Sequence, residues 1–147
     1  GPTGSQGPGF NSYLNGVITI NQPLILVGST IIYDAVNIVG PDFSYNPITG
    51  YFTINTTGVY VFQWKVAITP YPLTLAIQID LEKVPGPIFI GGISIPVTHP
   101  TVTGSQIIYA ATAGDTLRFA NNSNGSVSLV LTGLLGPIAT VSAFRIV

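Results

Sequence analysis

Residues 58–66 read Gly58-Val59-Tyr60-Val61-Phe62-Gln63-Trp64-Lys65-Val66. Successive side chains of a strand point to opposite faces, so the even positions gather Tyr60, Phe62, Trp64 and Val66 on one side while the odd side drifts to Gln63 and Lys65. This predicts a central, half-buried strand. Further along, Leu75, Ile77, Ile79 and Leu81 oppose Thr74, Gln78, Asp80 and Glu82. That predicts a second such strand, with Asp80, Glu82 and Lys83 on a solvated face. Two other stretches are apolar or small on both sides, Ile88-Phe89-Ile90-Gly91-Gly92-Ile93 and Val141-Ser142-Ala143-Phe144-Arg145-Ile146-Val147. A strand apolar on both faces of an antiparallel domain needs a second surface to cover it, and a subunit interface supplies one. An oligomer is therefore expected.

Working outward, short runs rich in Val, Ile, Thr, Tyr and Phe recur, each closed by Gly, Pro or Asn, with no helical period and no internal repeat. They span positions 16–20, 24–27, 30–34, 43–46, 51–54, 58–69, 73–83, 89–97, 101–111, 116–120, 126–132 and 140–147. About ten of these twelve are expected to join ladders. Turn chemistry separates them at Asn15-Gly16, Asn46-Pro47 with Gly50, Thr57-Gly58, Pro85-Gly86-Pro87, Gly114-Asp115 and Asn124-Gly125. The pattern is that of an all-β antiparallel sandwich.

Composition narrows the function. Of 147 residues only 6% are charged and 46% are hydrophobic, with no Cys and a net charge near −1. Ser, Thr, Asn and Gln must then supply the wet surface that charge normally provides. Four basic residues, Lys65, Lys83, Arg118 and Arg145, cannot neutralise a run of phosphates, which argues against nucleic acid. Every apolar run is broken well short of about 18 residues, so no helical membrane span is expected. The missing Cys removes disulfides, thiol nucleophiles and the common structural zinc sites.

Residues 1–9 read Gly1-Pro2-Thr3, Gly4-Ser5-Gln6, Gly7-Pro8-Gly9, and the three-residue Gly period stops at Phe10. Gly at every third position is what the crowded axis of a collagen triple helix demands. Positions 1–9 are accordingly the end of a collagen-like stalk, or in part a protease scar, and positions 10–147 a globular head.

The spacing Tyr45-x6-Phe52-x5-Gly58-x-Tyr60-x-Phe62-x-Trp64 closely resembles the signature of the globular head of complement first component q, a family that shares the trimeric jelly roll of the tumour necrosis factor superfamily. Gly114-Asp115-Thr116-Leu117 resembles that family's lead into a late strand, and Phe144-Arg145-Ile146-Val147 its apolar terminal strand. The resemblance implies a homotrimeric jelly roll of about ten strands, a core built on Tyr45, Phe52, Gly58, Tyr60, Phe62 and Trp64, and a subunit contact near Phe144 and Ile146. Within it, the Cys-free chain with a Thr-bearing triplet looks most like the heads of bacterial collagen-like exosporium glycoproteins of the BclA type. That implies an extracellular place at the spore surface, no cofactor, and an O-glycan acceptor at Thr3.

Little chemistry competes with a structural role. His99, in Thr98-His99-Pro100, reads as a loop histidine, because no second His or Cys exists to complete a metal site. Asp34 and Asp42 flank Gly40-Pro41 and are the one pair for which a cation site or paired-carboxylate chemistry can be pictured. With a single His and no Gly-x-Ser-x-Gly, no catalytic residues and no enzyme are expected. Asn55, Asn121 and Asn124 begin Asn-x-Ser/Thr triplets that also read as turns. Two functions follow: a head that registers three stalk chains and caps a surface filament, or an adhesive module that binds a host protein or glycan through loops carrying Tyr71, Asn121, Asn122 and Asn124.

Overall fold

The computed structural model describes residues 12–96, 100–130 and 137–147. The stalk-like triplets, Phe10 and His99 lie outside the described residues. Twelve strands form: β1 (Tyr13–Ile18), β2 (Gln22–Ile25), β3 (Ala35–Val39), β4 (Phe43–Asn46), β5 (Tyr51–Ile54), β6 (Gly58–Pro70), β7 (Ala76–Val84), β8 (Ile88–Pro96), β9 (Thr101–Ala111), β10 (Thr116–Asn121), β11 (Val127–Leu129) and β12 (Ala139–Arg145). Seven make one sheet, in which β6 pairs β9 on one side and β12 then β11 on the other, with β1 and β3 beyond β12 and β2 beyond β11. The other five make a second sheet in the order β4-β5-β10-β7-β8. All named strand pairs are antiparallel.

The core lies between the sheets. From the first come Tyr60, Phe62, Trp64, Val66 and Ile68, the even side of β6, all buried. From the second come Ile77, Ile79, Leu81, Leu117, Phe119 and Phe52. Their rings meet edge-on or tilted, as the quadrupoles of aromatic pairs prefer: Phe43 on Tyr60 at 5.3 Å, Trp64 on Phe119 at 5.4 Å and Phe52 on Phe119 at 6.2 Å between centroids.

Three sequence expectations are corrected. Residues 30–34 do not form a strand; only Thr30 bridges, to Ala120. Ile31 and Tyr33 are buried, but a side chain takes the place of a ladder at Tyr33, whose N–H donates to the Tyr45 hydroxyl (2.9 Å) while that hydroxyl donates to the Tyr33 carbonyl (2.8 Å). The strand forms just afterwards as β3. Second, β7 begins at Ala76 rather than position 73, because the Thr74 amide turns back to the Tyr71 carbonyl and Asn124 Oδ1 accepts from the amides of Leu75 and Ala76. Leu75 is exposed as a result.

Third, the outward side of β7 is not solvated: Asp80 and Glu82 are only 3% and 5% exposed. The Asn122 amide donates to both carboxylates, at 2.7 Å and 2.9 Å. Arg118 lies over Glu82, its Nη2 at 3.0 Å from Oε1. Gly92 stands opposite Asp80 on β8, and a Cβ there would run into the carboxylate. A paired buried charge is tolerated, whereas an orphaned one costs about 3–5 kcal/mol. Arg118→Ala is therefore expected to lower the unfolding free energy by about that amount in urea titrations. Replacing both partners, with Arg118→Met and Glu82→Leu, should cost less than Arg118→Ala alone.

Candidate interaction surface on the seven-stranded sheet

With the even side of β6 committed to the core, its odd side faces outward, and strand register extends that face into rows. Ile108 of β9 stands opposite Val61 of β6, Val61 opposite Phe144 of β12, Phe144 opposite Tyr13 of β1, and Tyr13 opposite Val39 of β3. This is an apolar row across five strands. Beside it, Ala110 is opposite Val59, and the Ile146 amide donates to the Val59 carbonyl. Two residues further along β6, the next row is Gln106, Gln63, Ser142, Asn15 and Asn37. Every member is an amide or a hydroxyl, and Gln63 Nε2 donates to Gln106 Oε1 at 3.1 Å. The third row, Gly104, Lys65, Thr140, Val17 and Ala35, is mixed.

An outward sheet face normally carries polar residues. Here one end is an apolar band in which Ile108 is 63% and Ile146 41% exposed, while Tyr13 and Phe144 are half-buried and Val61 is buried. Phe144 sits at the band's centre and Ile146 at its margin.

A second apolar surface lies where β8 and β9, each at a sheet edge, come together. Ile88, Phe89, Ile90 and Ile108 there line a groove of about 420 Å³ with Lys83 and Tyr109. Ile88 and Phe89 are more than half exposed. A polar cluster holds the rim. Asp115 accepts from the Tyr109 hydroxyl (2.6 Å) and the Thr112 amide (3.0 Å), and Lys83 Nζ is 3.1 Å from its other oxygen. Burial alone would raise the Asp115 pKa, but these partners outweigh it and hold the carboxyl below its ordinary range. Burial and the adjacent carboxylate push Tyr109 up to about 12.

The signature residues take different stations. Phe52, Tyr60, Phe62 and Trp64 are buried; Tyr45 is half-buried, with its hydroxyl on Tyr33. The Tyr60 hydroxyl donates to the Thr56 carbonyl at 2.6 Å, while Trp64 Nε1 has no hydrogen-bond partner among the described residues. A Cβ on Gly58 would collide with the Val147 carbonyl and meet Arg145 Cδ at 2.7 Å, so this glycine lets the C-terminal residues lie against the start of β6.

The loop residues divide. Asn121 is fully buried, its amide donating to the carbonyls of Ile25 and Gly125, which corrects the expectation of an exposed loop there. Asn122 is spent on Asp80 and Glu82. Asn124 is exposed but caps β7, and Tyr71 is partly exposed, its hydroxyl donating to the Pro23 carbonyl at 2.6 Å. Asp34 and Asp42 do not meet. Partial burial, the largest single effect, would raise the Asp34 pKa, but the hydrogen bonds its carboxylate accepts, from the Thr19 hydroxyl and amide and the Ile20 amide among them, together hold it below its ordinary value. Asp42 is buried 3.4 Å from Arg145 Nε. Among the described residues no three His, Asp or Glu side chains gather as metal ligands. Sequence reasoning missed the amide row, whose members lie on five separate strands and share no local motif.

The Asp115–Tyr109 pair fixes a pH response. A carboxyl whose folded pKa lies below its unfolded value stabilises above the unfolded value, and that stability is lost as pH falls through the folded one. A raised tyrosine stabilises below its ordinary value of 10 and loses that contribution between pH 10 and about 12. Urea midpoints measured across pH should fall at both ends, with Asp115→Asn flattening the acid limb and Tyr109→Phe reducing the alkaline one.

No family model and no curated protein matches the chain. Solved structures do. The globular domain of zebrafish complement 1qA protein is 14% identical, with 92% of this chain and 98% of that one covered at a TM-score of 0.62. Eiger TNF from S. frugiperda is 15% identical, with 93% and 94% covered at 0.66. Murine APRIL is 11% identical, with 92% and 98% covered at 0.64. At such identities the likeness is one of fold, an all-β jelly roll of two antiparallel sheets.

Proposed function

We propose that this domain is the trimerisation head of a collagen-like surface protein, and that it brings three stalk chains into register and caps the filament they form. The apolar row Ile108–Val61–Phe144–Tyr13–Val39 carries the reading. The chain has two apolar surfaces that meet at Ile108, this face and the β8–β9 edge with Ile88 and Phe89. Unlike patches that fit one another make a head-to-tail contact, which closes into a ring when the rotation permits. In a trimer, each copy seats its β8–β9 edge on the sheet face of the next. Phe144 lies inside this contact, and Ile146 borders it.

Tyr13, the first residue of β1, belongs to the apolar row, so β1 begins at the seam, which supports a stalk on its N-terminal side. Three Gly-x-y ends are then held at high effective concentration, which makes triple-helix nucleation intramolecular. An extracellular position at a spore surface, as in the exosporium glycoproteins of the BclA type, and glycosylation at Thr3 belong to the same reading. It requires no enzyme activity, cofactor, nucleic acid or membrane span.

One observation favours the adhesive alternative. Tyr71, Leu73 and Leu75 are exposed beyond the last residue of β6, at the end of the head opposite Gly58, where a host protein or glycan would meet the tip. Asn124 borders these residues; Asn121 and Asn122 are committed internally.

Light scattering of the chain at micromolar concentration should give the mass of three copies, and a monomer would reject the proposal. Ile108→Glu and Phe89→Glu, each at an exposed position, should return the single-chain mass with an unchanged far-ultraviolet spectrum. A longer Gly-Pro-Pro stalk fused before Phe10 should melt at a lower temperature on Ile108→Glu than on the unaltered head.

A further inference from the structure

The outward face of the five-stranded sheet lies on the far side of the sandwich from the apolar row of the seven-stranded sheet. Register places Thr116 of β10 opposite Thr53 of β5 and Val84 of β7, and Arg118 opposite Glu82. Tyr51, two residues before Thr53, shares that face. The turn through Pro85 and Pro87 rises beside it. Together Tyr51, Thr116, Arg118, Pro85 and Pro87 line a shallow cleft of about 420 Å³.

The chemistry of this lining is specific. The phenol ring and the two pyrrolidine rings offer apolar faces. Among the described residues, neither the Tyr51 hydroxyl nor the Thr116 hydroxyl has a hydrogen-bond partner. Arg118 spends Nε and Nη2 on Glu82, at 3.1 Å and 3.0 Å, and Nη1 on Thr30 at 3.0 Å. A guanidinium has five N–H groups, so two remain to donate. Its charge, however, is already matched by Glu82.

A ligand here therefore meets stacking surfaces, two free hydroxyls and two spare N–H donors, with no unpaired charge. An anion finds no uncompensated cation. A purely apolar ligand would cover the hydroxyls without replacing their hydrogen bonds to water, which costs free energy. A neutral sugar ring, with C–H groups on its faces and hydroxyls around its rim, satisfies both halves. We infer that this cleft binds a single neutral hexopyranose residue. Such a site is separate from the loops of the adhesive alternative and does not depend on the trimer contact.

Saturation-transfer NMR on the full chain tests it, with the methyl pyranosides of glucose, galactose, mannose and N-acetylglucosamine as probes and N-acetylneuraminic acid as the anionic comparison. At least one neutral probe should receive transfer on its ring C–H groups, with a Kd of about 1–10 mM, the weak affinity that a shallow one-sugar site supports. Tyr51→Ala should weaken it about tenfold and Thr116→Val about threefold, with the melting temperature unchanged. Tyr51→Phe, which keeps the ring, should retain most of the binding and guards against a folding defect in Tyr51→Ala. The inference is overturned if no neutral probe binds at roughly 20 mM, if Tyr51→Ala binds as well as the unaltered chain, or if the anionic sugar binds more tightly than every neutral one. Light scattering on the same samples reports the trimer independently.

Discussion

Strand β6 is hydrogen-bonded along both edges, to β9 from Gly58↔Ala111 to Ile68↔Thr101 and to β12 from Tyr60↔Arg145 to Val66↔Ala139. A slip of one residue in either pairing would exchange the two faces of a strand. It would bring Gln63 and Lys65 inward and turn Tyr60, Phe62 and Trp64 out. The aromatic face locks the register, and the register then aligns residues on β9, β12, β1 and β3 that nothing in local sequence would bring together. The apolar band and the amide row are thus consequences of burying three aromatic rings.

This dependence explains what was legible in the sequence. The even face of β6 could be read directly, because period two is a local property and large rings mark it clearly. The all-β class and most strand positions followed from the same kind of signal. Features that rest on partners distant in the chain were hidden. Residues 30–34 have strand-like composition, yet Tyr33 is held by the hydroxyl of Tyr45. Asp80 and Glu82 sit where a solvated face belongs, but Asn122 and Arg118 close over them. Asn121 lies in a run of turn residues and is nonetheless buried, because its amide ties the 25 and 125 carbonyls together. As for the candidate surface, Phe144 and Ile146 stood out as apolar residues near the terminus, whereas Asn15, Asn37 and Gln106 become meaningful only after pairing.

The few charges of the chain are mostly internal fittings. Three of its four basic side chains are in ion pairs, Lys83 with Asp115, Arg118 with Glu82 and Arg145 with Asp42. Four of its five acidic groups, Asp42, Asp80, Glu82 and Asp115, are buried. Asp42 and Arg145 join the loop before β4 to the last strand, and the Asp42 amide donates to Ser12 beside the start of β1, so this end of β1 is braced. Charge used in this way fixes loops and strand ends.

A neutral surface raises the question of how one mode of assembly is chosen over others. Apolar bands give affinity but tolerate sliding, since one apolar contact substitutes readily for another. The amide row beside the band supplies the missing constraint. In the trimer contact proposed above, Gln106, Gln63, Ser142, Asn15 and Asn37 would either pair across the seam or stay at its hydrated margin. A contact shifted along the strands would cover them with Ile88 or Phe89 and strand buried donors and acceptors, at about 1–3 kcal/mol for each group left unsatisfied. In the proposed trimer, attraction from one row and penalty from the next, set two residues apart on the same strands, would together define a single seat for a neighbouring copy.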